Sequence, residues 1–103
     1  MLTTYPKFLE RVTQEVIDVF EAYGFFYLDA YETQTERNGQ TFQGVMIQSN
    51  LKGAPCCSAF YLEDAYENYK AENFDLTEFA VDMVKQFFDD CGDKIKEAIE
   101  NLE

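Results

Sequence analysis

The pair Asn38-Gly39 constrains this chain more than any other two residues. Both tolerate the positive φ that a tight two-residue turn demands, so the chain is expected to double back there as a β-hairpin. The flanks agree. Phe25 to Thr35 is rich in aromatic and β-favouring residues, and Phe26 and Leu28 alternate with Tyr27 and Asp29 as a strand requires. The return strand is expected over about Thr41 to Gln48, with Val45 and Ile47 on one face. A second turn over Asn50 to Pro55 leads to a third strand, Cys56 to Leu62. Three strands in an antiparallel meander form the smallest sheet expected to be stable with a helix on one face.

On either side of the meander the apolar period changes from two to between three and four. Leu9, Val12, Val16, Val19, Phe20 and Tyr23 mark a helix from about Tyr5 to Tyr23. Pro6 suits its first turn and Gly24 its stop. Leu62, Ala65, Tyr66 and Tyr69 mark a short helix. Asp75-Leu76-Thr77-Glu78 has the character of a capping box and opens a last helix. Leu76, Ala80, Met83, Val84, Phe87, Cys91, Ile95, Ala98, Ile99 and Leu102 hold its stripe to the end, with Gly92 as a point where it bends or breaks. The expectation is one α+β domain over residues 1–103: helix, three-stranded antiparallel meander, short helix and long C-terminal helix, with the helices on one sheet face.

Composition narrows the chemistry. With 47% hydrophobic residues, ten Phe and seven Tyr, the chain has the material for an aromatic core and is no disordered acidic tail. It has no histidine, which removes the imidazole base and the Ser-His and Cys-His arrangements. Three cysteines, two of them adjacent, do not make a tetrahedral zinc set. The five glycines stand singly, so no phosphate-cradling loop is present. Asp89-Asp90-Cys91-Gly92-Asp93 lacks the alternating oxygen ligands of a calcium loop. No catalytic residue, metal site or cofactor is expected. Strand alternation should turn one of Cys56 and Cys57 inward and the other outward, and Cys56, Cys57 and Cys91 are expected as reduced thiols. With no signal peptide and no membrane-spanning run, the expected location is the cytoplasm.

The charge is the outlier: twenty acids against eight bases, a net of −12. Residues 1–62 hold seven acids and four bases, whereas residues 63–103 hold thirteen acids and four bases, so three quarters of the excess lies in the last 41 residues. Glu78, Asp82, Asp89, Asp93, Glu97 and Glu100 follow at steps of three, four or seven, which aligns them opposite the apolar stripe. Glu63, Asp64, Glu67, Glu72 and Asp75 would extend the line across the preceding turn. Acids four apart on a helix lie ~6 Å apart along its axis, the order of the gap between successive phosphates on a nucleic-acid strand. Such rows repel within the helix by a few tenths of a kcal/mol per pair, so a retained row suggests a use for its field.

Asn38-Gly39, Gly44-Val45-Met46-Ile47, Asn50, Pro55, Tyr61-Leu62-Glu63, Tyr66 and Tyr69 resemble a domain of unknown function found in Firmicute and gut-bacterial proteins, over roughly residues 36–88. Cys56-Cys57-Ser58-Ala59-Phe60 stands where that family has a shorter interval between the Pro and the Tyr. The resemblance implies a fold and no activity. In size, charge and lack of catalytic residues the chain is also similar to the small acidic anti-CRISPR proteins of Firmicute mobile elements. The function expected is inhibition of a basic nucleic-acid-binding protein, most concretely a CRISPR effector. Its means would be carboxylates of Glu63, Asp64, Glu67, Glu78, Asp82, Asp89, Asp93, Glu97 and Glu100 in place of phosphates, with no direct contact to nucleic acid or membrane. The rival from another class is an adaptor or homodimerising module anchored by Tyr27, Tyr31, Tyr66 and Tyr69. A carboxylate-based metal enzyme comes third.

Overall fold

The computed structural model describes residues 4–50, 56–70 and 74–100. Helix α1 spans Tyr5–Tyr23. Thr4 caps it by accepting from the Lys7 N–H at 3.4 Å, and Pro6 sits in the first turn. Gly24, at φ 74°, closes the other end in the left-handed conformation that costs glycine least. The Phe25 N–H then returns to the Phe20 carbonyl at 2.8 Å.

Strand β1 is Leu28–Arg37 and β2 is Gln40–Ser49, joined by Asn38 at φ 53° and Gly39 at φ 80°. The hairpin register runs from Leu28 opposite Ser49 to Arg37 opposite Gln40. Strand β3, Cys57–Tyr61, pairs antiparallel with the inner half of β2, in the order β1-β2-β3. Helix α2 is Glu63–Lys70 and α3 is Leu76–Glu100. The α+β order read from the sequence is the observed one, with α1 and α3 packed against the sheet.

Three local expectations are corrected. β1 starts at Leu28, three residues later than expected, because Phe25–Tyr27 is used to leave α1, and Phe26 stands 85% exposed. Gly92 does not interrupt α3, since buried Cys91 and Ile95 on either side hold the helix to the core. That anchoring outweighs a propensity penalty of ~1 kcal/mol. The turn at 51–55 and the stripe residue Leu102 lie outside the described residues.

The core lies between the helices and one face of the sheet. Phe8, Leu9, Val12 and Val16 of α1 meet Val45 and Ile47 of β2, and Ala80, Met83, Val84 and Phe87 complete it from α3. Phe8 is its aromatic centre, with ring centroids 5.5 Å from Tyr66, 4.9 Å from Tyr69 and 5.9 Å from Phe74. Tyr5 ties three elements together: its hydroxyl donates to the Gln43 carbonyl at 2.6 Å and accepts from the Leu62 N–H at 3.2 Å. Gly44 is required where β3 pairs with β2, because a Cβ there would drive into the Phe60 carbonyl oxygen.

The cysteine expectation is corrected as well. Cys56 and Cys91 form a disulfide, their Cα atoms 6.2 Å apart, and Cys57 is the free, exposed thiol. The inward-outward alternation of the adjacent pair is observed. Its consequence lay 35 residues away: the inward Cys56 meets buried Cys91 on α3.

The result is a thin two-layer slab, 51 × 35 × 17 Å, with a radius of gyration of 14.7 Å. A compact domain of this length would come to about 13 Å. Among the described residues no helix or strand covers the outward face of the sheet.

Candidate functional site: the acidic ridge of α3

At ~100° per residue, Glu78, Asp82, Asp89, Asp93, Glu97 and Glu100 fall within an arc of about 100° on α3. Buried Ala80, Met83, Val84, Phe87, Cys91 and Ile95 are centred roughly 165° away by the same helical geometry. All six acids are exposed. The ridge runs ~33 Å from Glu78 to Glu100, at 1.5 Å per residue. The helix needs its hidden side for the core, so its acids can only face water.

The flanks of the ridge differ. On one side Phe79, Met83 and Gln86 look toward β3, and Asp82 lines a shallow groove there with Phe60 and Tyr61. On the other, Val81, Val84, Lys85 and Phe88 look toward the end of α1. There Asp89 borders an apolar groove of about 500 Å³ that also holds Val19, Tyr23 and Phe25. Lys85 and Lys96 border the row on this second side, by the same ~100° count. Among the described residues no α3 carboxylate lies in an ion pair; the pairs present are Lys7–Glu10 at 3.4 Å and Lys70–Glu67 at 3.0 Å. Asp90 accepts from Gln86 at 3.2 Å beside the row.

The α2 acids stand on a separate helix. Glu63, Asp64 and Glu67 are exposed, but α2 packs chiefly against α1. Glu67 is engaged by Lys70, and Glu63 lines a groove at the hairpin end of the sheet with Thr35, Arg37, Phe42 and Tyr61. Glu63 and the ridge residue Asp82 line two separate grooves that share Tyr61. Asp75 serves as a cap, accepting from the Glu78 N–H at 3.0 Å, while Glu72 lies outside the described residues.

The aromatic anchors of the rival reading fare differently. Tyr66 and Tyr69 are half-buried in the Phe8 cluster, and Tyr69 also accepts a hydrogen bond from Arg11 at 2.9 Å. Tyr27 is half-buried too. Tyr31 remains, 41% exposed on the open sheet face, where Tyr61 is equally exposed. Sequence reasoning missed Tyr61, although its odd register with Cys57 and Ala59 puts it on that face.

Among the described residues Tyr5 is the titrating group with a resolved shift: burial pushes its hydroxyl above the usual 10.0, the Leu62 N–H pulls it down, and the charge of Glu63 adds to the rise. The rise reflects a hydroxyl taken partly out of water by the fold. Among the described residues no three acidic or cysteine side chains converge as metal ligands, and no helix is long and apolar enough to cross a membrane. Comparison with protein-family models, curated proteins and solved structures finds no match.

Proposed function

We propose that this chain is a binding protein, not an enzyme, and that the α3 ridge engages the basic, phosphate-binding surface of a nucleic-acid-binding protein. The observation that carries this is the ridge itself: six exposed carboxylates in one line, outside any ion pair among the described residues, on a helix anchored along its other side. Unneutralised charge in a row has a long-range field that steers a basic partner. The concrete target is an RNA-guided nuclease, whose channel for the guide–target duplex is positively charged. Glu78, Asp82, Asp89, Asp93, Glu97 and Glu100 form the site, and Glu63, Asp64 and Glu67 contribute at most at its margin.

The encounter is assigned to a bacterial cytoplasm, which sets a condition on the disulfide. Cytosolic thiol systems reduce most such bonds, so the fold must stand without the Cys56–Cys91 bridge.

The test is binding kinetics against a guide-loaded nuclease at two ionic strengths. The triple variant Asp82→Lys, Asp89→Lys, Asp93→Lys should lose affinity mainly through the association rate. Wild-type binding should weaken as salt rises past ~0.15 M, where the Debye length is about 8 Å. Binding by the variant equal to wild type, or indifference to salt, sinks the proposal. The rival, an interaction module with an aromatic contact surface, is favoured by the exposed Tyr31 and Tyr61 and no longer by Tyr66 and Tyr69.

A further inference from the structure

A sheet of three strands has two edges, and the two edges of this one differ. The Ser49 N–H donates to the Cys56 carbonyl at 2.8 Å, which fixes the parity of the β2–β3 ladder. In an antiparallel pair the bonded positions alternate, so Ser58 and Phe60 turn their N–H and C=O groups toward Ile47 and Val45. Those of Cys57, Ala59 and Tyr61 therefore point away from the sheet, and none of them makes a hydrogen bond among the described residues. All three residues are exposed. Edge strands are commonly blunted by charge, and β1 carries Asp29, Glu32, Glu36 and Arg37. β3 carries no charge and no proline, in a chain of net −12.

Beside this edge runs a groove of about 390 Å³ between β3 and α3. Phe60, Leu62, Phe79 and Met83 give it an apolar lining, and Asp82 and Gln86 stand on its α3 side. The Cys56–Cys91 bridge ties the start of β3 to α3, so the two walls are covalently joined. We propose that this edge takes up an extended segment of a basic protein as a fourth strand, with alternate apolar side chains in the groove and a Lys or Arg beside Asp82. Three features choose that occupant. A row of unpaired backbone groups is matched by another extended main chain, whereas a helix has its own backbone bonded internally. An added strand sends a side chain to the groove every ~6.6 Å, close to the ~6 Å between Phe79 and Met83 along α3. The third feature is charge: Asp82 and the net of −12 attract a basic segment and repel the same edge of a second copy.

The site shares Asp82 with the α3 ridge but recognises something else. The ridge responds to charge, whereas the β3 edge responds to a main chain and to the side chains that alternate along it. In strand addition the main-chain bonds supply affinity and the groove supplies specificity. β3 offers only five residues, so a lone peptide should bind weakly, in the micromolar range or above. The inference goes beyond the target proposed for the ridge, and the two fail separately: loss of peptide binding leaves the ridge's response to salt untouched.

The experiment uses the full chain as its Cys57→Ser variant, so that no disulfide forms between copies, and follows amide exchange by NMR. In the free chain exchange should be fast at Ala59 and Tyr61 and slow at Ser58 and Phe60. The probe is a short end-blocked peptide that alternates Val with Lys, and it should slow exchange at Ala59 and Tyr61. Two further forms carry N-methyl groups, one at every Val and the other at every Lys. Only alternate residues of a strand face its neighbour, so one form should bind about tenfold more weakly or worse, although its charge is unchanged. A peptide that alternates Val with Glu should not bind. Asp82→Lys should weaken binding of the Val-Lys peptide about tenfold, and Asp93→Lys, the same change of charge outside the groove, by less. Slow exchange at Ala59 and Tyr61 in the free chain overturns the proposal, as does a Val-Lys peptide that fails to bind at millimolar concentration. Two methylated forms that bind as well as the parent, or equal effects of Asp82→Lys and Asp93→Lys, reduce the attraction to charge and overturn it equally.

Discussion

Breaking the Cys56–Cys91 bridge by reduction leaves every heavy atom of the chain in place, so the stability lost measures the cross-link itself. The bridge spans 35 residues. In the chain-entropy treatment such a loop removes about 12.7 cal/mol/K from the unfolded ensemble, the sum of 2.1 and 1.5R ln 35, or about 3.8 kcal/mol at 25 °C. A chain of this length unfolds with an entropy of about 216 cal/mol/K near 60 °C, so the melting temperature should drop by about 17 °C. The assay is thermal unfolding by circular dichroism with and without a thiol reductant, with the redox state checked by intact mass. One thiol, Cys57, should label in the oxidised native protein, and three in reduced protein after unfolding. A melting temperature unchanged on complete reduction would refute the reasoning. Loss of the fold altogether on reduction would also exclude the cytoplasmic assignment made above.

Tyr5→Phe removes a hydroxyl that donates to the Gln43 carbonyl and accepts from the Leu62 N–H, and should cost about 1–3 kcal/mol by denaturant titration. The same hydroxyl gives a pH dependence. Its folded pKa is raised, so its contribution is fully present below the ordinary 10.0 and is lost as pH rises through the folded value, a loss the Phe variant should lack. Gly44→Ala places a methyl group into the Phe60 carbonyl and the Tyr61 ring, and should cost about 2–4 kcal/mol by forcing β3 off β2. Asp93→Lys exchanges two i,i+4 repulsions, with Asp89 and Glu97, for two attractions, and should stabilise the protein by about 1 kcal/mol in thermal or urea unfolding.

The elements that were legible in the sequence carry their own local signals. Helix α1 runs from Tyr5 to Tyr23 as read, because Pro6, a helical stripe and Gly24 mark it within the segment. The hairpin forms where Asn38 and Gly39 supply two positive φ values. What was not legible depends on contacts distant in sequence. Nothing near Cys56 announces Cys91, whose approach requires α3 to lie along β3. Tyr66 and Tyr69 look like exposed anchors on a polar helix, yet Phe8, some sixty residues earlier, draws both into the core. The α3 row was legible because one helix carries it, whereas how the α2 acids stand to it depends on a second helix whose direction no local signal gives.

The acidic ridge and the core are two demands on one helix, and α3 meets both only because they fall on opposite sides of it. Repulsion along the row works against the helix by a few tenths of a kcal/mol per pair. Burial of Met83, Val84, Phe87 and Ile95, together with the bridge at Cys91, works for it. Full burial of one such side chain contributes ~1.5–3 kcal/mol, so two of them outweigh the whole row. The margin explains how a chain of net −12 keeps a 25-residue helix intact, and why its acids need no neutralising partner for the fold. It also fixes what salt must do. Screening relieves the ridge, so stability should rise with ionic strength, while attraction between the ridge and a basic surface should fall. One variable thus moves the stability of the fold and the proposed partner binding in opposite directions.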